Sequence, residues 1–204
     1  MNNEVTIIDY GMGNIGSICN IIKKAGGSYV VTNDPSMIEK SKKLILPGVG
    51  AFDNGMKNLE ELNLIKSIKK AVLLNKSHLL GICLGMQLLL DSSEEGSLMG
   101  LGLIEGEVLK FNTPKNDFKV PHMGWNTVNI QKENYFIKKG ELNRYYFVHS
   151  YYVKCKHEQN VIAKSSYILN FDSVISSNNI IGLQFHPEKS HKYGLEIIKN
   201  FIEI

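Results

Sequence analysis

The sequence predicts an α/β fold: an open, mostly parallel sheet with helices on both faces and antiparallel additions in the second half. Three observations carry that expectation. From Val5 to Leu90 short β-rich runs alternate with apolar residues at helical spacing, the pattern of βαβ units. Between Gly106 and Phe185 the runs are strand-like and separated by short turns. No linker, repeat or charge block divides the 204 residues, so one domain over 1–204 is expected, long enough to bury about 70% of its unfolded surface without a disulfide or metal staple.

Each element has its own signal. Val5–Asp9 is a β-rich run ended by Gly11 and Gly13. Ile15, Ile18, Cys19, Ile22 and Ala25 recur at helical spacing, and Gly26-Gly27 supplies a stop. Tyr29–Thr32 reads as a second strand, and Asp34-Pro35 as the cap and first residue of a short helix. Leu44–Leu46 is a third strand that runs into Pro47-Gly48-Val49-Gly50. Leu64, Ile65, Ile68, Val72 and Leu73 mark an amphipathic helix, His78–Ile82 a strand and Leu84–Leu90 a helix behind it. Strands follow at Glu107–Phe111, Thr127–Ile130, Tyr145–Val153, Val161–Tyr167 and Ile180–Phe185. A helix over Gly194–Ile202 closes the chain, with Leu195, Ile198, Phe201 and Ile202 on one face.

Composition removes several function classes. At 43% hydrophobic and 21% charged residues the chain is globular, not disordered. Its net charge is +3, and Arg144 is the single arginine among 23 basic residues, which argues against a nucleic-acid partner. The opening MNNEVTIIDY lacks the basic and apolar regions of a signal peptide. The most apolar stretch, Leu79 to Leu90, is interrupted by Gln87 and falls short of the ~20 residues that span a bilayer. Cys19, Cys83 and Cys155 are far apart and show no metal-ligand spacing. A soluble, cytoplasmic protein without membrane attachment, metal or cofactor is expected.

Two motifs compete for the function. Gly11-Met12-Gly13-Asn14-Ile15-Gly16 fits G-x-G-x-x-G after a strand, with Asp34 further on, and taken alone points to a dinucleotide-binding module. Asp9 and Tyr10 sit where a pyrophosphate would approach, and the carboxylate would repel it; an ordinary glycine-rich turn accounts for the same residues. Gly81-Ile82-Cys83-Leu84-Gly85 is the stronger motif. It has the form of a nucleophile elbow, with the thiol at the carboxyl end of a strand and the N-terminus of a helix, and the Leu84 N–H placed for an oxyanion. The alternative is that Cys83 is a small buried hydrophobe, a description that suits Cys19 and Cys155 better.

A cysteine nucleophile needs a base and a group to orient that base. Of six histidines, His186 has a carboxylate at an informative offset. In Gln184-Phe185-His186-Pro187-Glu188, extended backbone before proline puts residues i and i+2 on one side, so His186 and Glu188 stand together. With the elbow present, Cys83, His186 and Glu188 read as a triad.

Together these blocks carry a family resemblance. GICLGMQ (81–87) and QFHPEKS (184–190) resemble the two active-site blocks of class I glutamine amidotransferases, a flavodoxin-like fold. DYGMGNIGS (9–17), PGVGAF (47–52), KVPHMGWN (119–126) and YFVHSYY (146–152) are similar to the glutaminase-subunit family of imidazole glycerol phosphate synthases, in the same order along the chain. The resemblance implies that Cys83 attacks the side-chain amide of glutamine, that His186 moves the proton and that Glu188 orients the imidazole. It implies an oxyanion hole from the Leu84 and Val49 N–H groups, the latter after a peptide flip. Gly48, Gln87 and the backbone around His149, Ser150 and Tyr151 would hold the amino-acid end of glutamine. Pro121, Met123, Trp125, Asn126 and Lys189 would face a (β/α)₈-barrel synthase subunit, in a heterodimer that channels ammonia into imidazole glycerol phosphate and histidine biosynthesis. The segment Ser166–Phe171 lacks the glycine usual after the tyrosine. The resemblance therefore leaves a second pathway open, ammonia supply to a synthase-like partner making amidino sugars for surface glycans.

Overall fold

The computed structural model describes residues 3–112, 118–137 and 143–204. Its first half is built of βα units. β1 (Glu4–Ile8) turns through Gly11–Asn14 into α1 (Ile15–Lys24), where the Asn14 side chain accepts from the Ser17 N–H at 3.2 Å and caps the helix. β2 (Ser28–Thr32) precedes α2 (Pro35–Lys40), capped by Asp34 with proline at the first turn. β3 (Lys43–Leu46) leads to α3 (Phe52–Glu61) and α4 (Leu64–Lys69), and a π-helical turn over Lys70–Leu74 ends that layer. β4 (His78–Ile82) delivers the chain to α5 (Leu84–Leu88), whose residues are all buried.

The second half is β-rich: β5 (Ser92–Ser93), β6 (Gly106–Lys110), β7 (His122–Thr127), β8 (Asn129–Ile130), β9 (Arg144–His149), β10 (Tyr151–Cys155), β11 (Val161–Ser166), β12 (Asn170–Ser177) and β13 (Ile180–Leu183), then α6 (His191–Ile202). The main sheet runs in the order β2-β1-β3-β4-β13-β12-β10-β6-β5. It is parallel from β2 to β13 and antiparallel from β13 through β12 and β10 to β6. β11 pairs with β12 and β8 with β11, while β7 and β9 form a separate antiparallel ribbon.

Alternate residues of the central strands feed two cores, as the period of two requires. Val5, Ile7, Leu80, Ile82, Ile181 and Leu183 pack toward α1, α6 and the β7–β9 ribbon. Ile8, Leu44, Leu46, Leu79 and Ile180 pack toward α2, α3, α4 and α5. Helices thus cover both faces, as expected. No helix among the described residues is long and apolar enough to cross a membrane.

The differences from expectation are tertiary in origin. Tyr145–Val153 is not one strand. The chain leaves the ribbon at Ser150 and enters the main sheet as β10, because β9 finds its partner in β7 whereas β10 pairs with β6. Thr127–Ile130 likewise divides between β7 and β8. α3 and β12 are additions to the expected elements. β12 is buried on both faces, so it does not alternate, and its polar residues conceal it: the Ser173 hydroxyl donates to the Ala163 carbonyl, and Asp172 accepts from the Cys155 N–H.

Candidate active site

The site begins where β4 ends. Cys83 holds φ 53° and ψ −108°, a conformation that side-chain-bearing residues rarely adopt and that turns the strand sharply into α5. The flanking glycines are required by close approach. A Cβ on Gly85 would lie 1.8 Å from the Leu46 carbonyl, and one on Gly81 2.7 Å from that of Gly85. The buried thiol has two long polar contacts, each at 3.9 Å: the Val148 carbonyl of the ribbon and the side-chain amide of Gln184.

His186 follows β13. Its N–H donates to the Tyr146 carbonyl at 2.9 Å, and its carbonyl accepts from the Ser190 hydroxyl at 2.6 Å. Ser190 in turn accepts the Tyr146 N–H, so a buried serine clips the His186 turn to β9. The imidazole Nδ1 and Glu188 Oε1 are 2.7 Å apart, with both side chains almost wholly buried. Nδ1–H therefore donates to the carboxylate, and Nε2 remains buried without a hydrogen-bond partner among the described residues. Burial alone would discharge this ring. The neighbouring Cys83 charge, aided by Glu188, outweighs burial and raises the imidazole to about 10. In the resting geometry the cysteine and histidine are coupled by charge, short of a well-formed hydrogen bond.

A cavity of about 300 Å³ opens over the thiol, lined by Val49, Gly50, Cys83, Leu84, Gln87, Glu95, Pro121, Val148, His149, Ser150 and Tyr151. Gln87 donates to the Tyr151 carbonyl at 3.1 Å and to Gln184 Oε1 at 3.3 Å. The Leu84 N–H, expected to be free for an oxyanion, instead donates to the Gly48 carbonyl at 3.3 Å. Gly48 is buried and is not among the residues that line the cavity; its carbonyl is held by the Leu84 N–H. The 48–49 peptide thus directs its carbonyl at the residue that follows Cys83. Rotating that peptide would exchange it for the Val49 N–H.

The model of the class-I glutamine amidotransferase family matches residues 6–204. The chain belongs to that family. This amidotransferase is 54% identical over 200 residues to a protein of Methanococcus maripaludis named imidazole glycerol phosphate synthase subunit HisH 2, covering 98% of each chain. It is 42% identical over 201 residues to HisH 2 of Pseudomonas aeruginosa, covering 98% of this chain and 99% of that one. By sequence, then, it is a HisH-type glutamine amidotransferase. Its fold is shared with PurLQS from Thermotoga maritima, at a TM-score of 0.70 and 21% identity over 100% of this chain and 97% of the other. The glutaminase domain of CTPS from Trypanosoma brucei matches at a TM-score of 0.67 and 12% identity, covering 98% of this chain and 91% of that one.

The expected surface residues of this amidotransferase divide by strand pleat. Met123 is 62% exposed and Trp125 39% exposed, on the outer face of β7. Trp125 stacks on His191, and Lys189 lies over the Tyr146 ring. Pro121 is exposed at the cavity mouth. Asn126 does not join this face. One residue on from Trp125, it points inward, its amide committed to His122 and to the Ser166 carbonyl. His149 is also directed inward, toward His122, rather than presented to the cavity as a free side chain.

Three residues near the site stand outside the motifs of the sequence. Among the described residues, Glu95 is the one carboxylate in the cavity wall; burial raises it, while the Phe52 N–H at 2.8 Å holds it in place. No sequence pattern marks it, because the group that holds it, the Phe52 N–H of α3, is 43 residues away in the chain. Gln184 lies two residues before His186 on the same strand side, a signal that could have found it. Ser190 carries none.

The glycine-rich turn has other duties than dinucleotide binding. The Asp9 carboxylate accepts the Gly11 N–H, Asp34 accepts two N–H groups as the α2 cap, and the Tyr10 hydroxyl donates to the Pro47 carbonyl at 2.6 Å. Gly13 packs on Pro47 and Gly48, so the turn buttresses the 47–50 loop.

Proposed function

We propose that the chain hydrolyses glutamine to glutamate and ammonia, with Cys83 as nucleophile, and passes the ammonia to a synthase subunit. The observation that carries this reading is a strained, glycine-flanked cysteine coupled to a buried His186–Glu188 pair at the floor of an amino-acid-sized cavity. The Cys83 sulfur attacks the side-chain carbonyl carbon while His186 holds the proton beside it. The tetrahedral oxyanion is met by the Leu84 N–H and, after the peptide flip, the Val49 N–H. The C–N bond breaks as His186 returns its proton to the departing nitrogen, giving ammonia and a glutamyl thioester. Water, deprotonated by the same imidazole, then releases glutamate and restores the thiol. Glu188 holds the ring and stabilises its cation. Glu95 suits the α-ammonium of glutamine, and Gln87 with the 149–151 backbone the rest of its amino-acid end.

The Gly48 carbonyl on the Leu84 N–H leaves the oxyanion hole unformed, so activity depends on a partner that turns the 48–49 peptide. The relatives' names supply the partner's kind, the other subunit of imidazole glycerol phosphate synthase, and the Met123–Trp125–Lys189 face offers it an apolar and cationic seat. Glutamine hydrolysis should be compared for the chain alone, with that subunit, and with the subunit plus its nucleotide substrate. Stimulation at each step is expected. Full activity from the chain alone refutes the regulated-subunit reading, and a partner responsive only to a sugar substrate moves the pathway to glycan synthesis.

A further inference from the structure

We propose that His122 and His149 are positioning residues that set the polarity of the glutamine pocket, through a hydrogen-bond chain of one fixed direction running from Asn126 to Gln87. The inference rests on the glutaminase reading above.

The direction follows from the atoms. Asn126 Oδ1 accepts the Thr127 N–H at 2.7 Å, so the Asn126 nitrogen is the end that meets His122 Nε2 at 3.2 Å, and it donates. At the other end, His149 Nδ1 lies 2.7 Å from the Tyr151 carbonyl, which can only accept, so His149 carries its proton on Nδ1. Its Nε2 is then an acceptor, and the 2.9 Å contact with His122 Nδ1 requires a proton on that nitrogen. The two conclusions, reached from opposite ends, agree: each ring is neutral, with its single proton on Nδ1. Burial holds both rings neutral, His149 at about 3 and His122 at about 4. The His122 ring is also gripped between Tyr167, 4.1 Å away, and Phe147, 4.9 Å away, so it does not turn freely.

The chain ends at the substrate. The Tyr151 carbonyl accepts from both His149 and Gln87, and the second Gln87 N–H goes to Gln184. Both Gln87 donors are thus committed, which leaves its oxygen as the group for a ligand. A ligand donor, an ammonium or amide N–H of glutamine, is what such a pocket accepts. Were the chain broken, Gln87 would lose the contact that fixes which end of its amide faces outward.

Three measurements on the full chain test this. In ¹⁵N-histidine NMR spectra of the wild-type protein near pH 7, His122 and His149 should both appear as Nδ1–H tautomers. An Nε2–H signal from either overturns the proposal, with no substitution needed. His122→Phe keeps a ring in the aromatic slot and removes the bond; it should raise KM for glutamine about fivefold, the effect of one hydrogen bond, with kcat within twofold of wild type. His122→Asn places an amide N–H where Nδ1 stood and should bring KM back to within twofold. A role confined to stability would lower the melting temperature and leave KM alone, which counts against the proposal. If the phenylalanine variant does not fold, Asn126→Ala removes the first donor and should raise KM likewise. A wild-type activity indifferent to Cys83→Ala would sink the glutaminase reading instead, while the tautomers still report on the chain.

Discussion

Cys83, Cys19 and Cys155 differ in what surrounds them, and that difference decides their chemistry. Cys19 lies in the apolar core with the α1 isoleucines, and the Cys155 thiol is pushed up to about 12, chiefly by burial and then by Asp172. Only Cys83 has both a strained elbow and an imidazole coupled to it. Cys83→Ala should abolish glutamate release, whereas Cys19→Ala and Cys155→Ala should retain it; an active Cys83→Ala protein contradicts the mechanism. His186 and Glu188 share a 2.7 Å bond inside the protein, so their losses should not add. His186→Ala should reduce turnover nearly as far as loss of the thiol, and Glu188→Ala less. Adding Glu188→Ala to His186→Ala should then cost almost nothing. If it costs as much as in wild type, the two residues act independently.

The elements that matter most are the 47–52 loop and the β7–β9 ribbon. The loop is anchored at both sides, by Tyr10 on the Pro47 carbonyl and by the Phe52 N–H on Glu95, while Val49 between them is exposed. A short segment with fixed ends and glycine at 48 and 50 can rotate one peptide without disturbing its neighbours. Val49→Pro removes the N–H that the flip would present. It should lower partner-stimulated turnover about 10²–10³-fold, the usual cost of one oxyanion donor, with little change in melting temperature. Unchanged turnover would exclude Val49 from the hole. In the ribbon, β7 carries Met123 and Trp125 on one side and His122 and Asn126 on the other, so a single strand touches both the exposed face and the chain leading to Gln87.

For the molecule as a whole, the two buried imidazoles that burial keeps neutral, His122 and His149, make acid stability a readable quantity. In the unfolded chain each binds a proton near pH 6.5, but in the fold burial depresses His149 to about 3 and His122 to about 4. Between those limits the unfolded state holds more protons, so stability is present above about pH 6.5 and declines as pH falls, by up to about 1.4 kcal/mol per pH unit for each ring. His122→Phe should make the fall of melting temperature below pH 6.5 shallower than in wild type. Equal slopes would show that His122 is protonated in the folded protein.

Patterns local in the chain were legible without coordinates. The parallel strands and their helices follow from apolar periodicity, and the Gly81–Gly85 elbow and the His186–Glu188 offset follow from spacings of two to four residues, because backbone geometry alone projects those side chains together. Whatever depends on which strand pairs with which was not. Ser150 divides one apolar run between two sheets, β12 hides its polar residues in bonds to β10 and β11, and Asn126 faces inward because the register of β7 against β9 sets the pleat. Glu95, Gln184 and the His122–His149 chain reach the site from segments far apart in sequence, joined by hydrogen bonds that exist only once the sheet and ribbon are packed. Reactive residue types and their local spacing are properties of the chain; the direction of a buried hydrogen bond is a property of the packed fold.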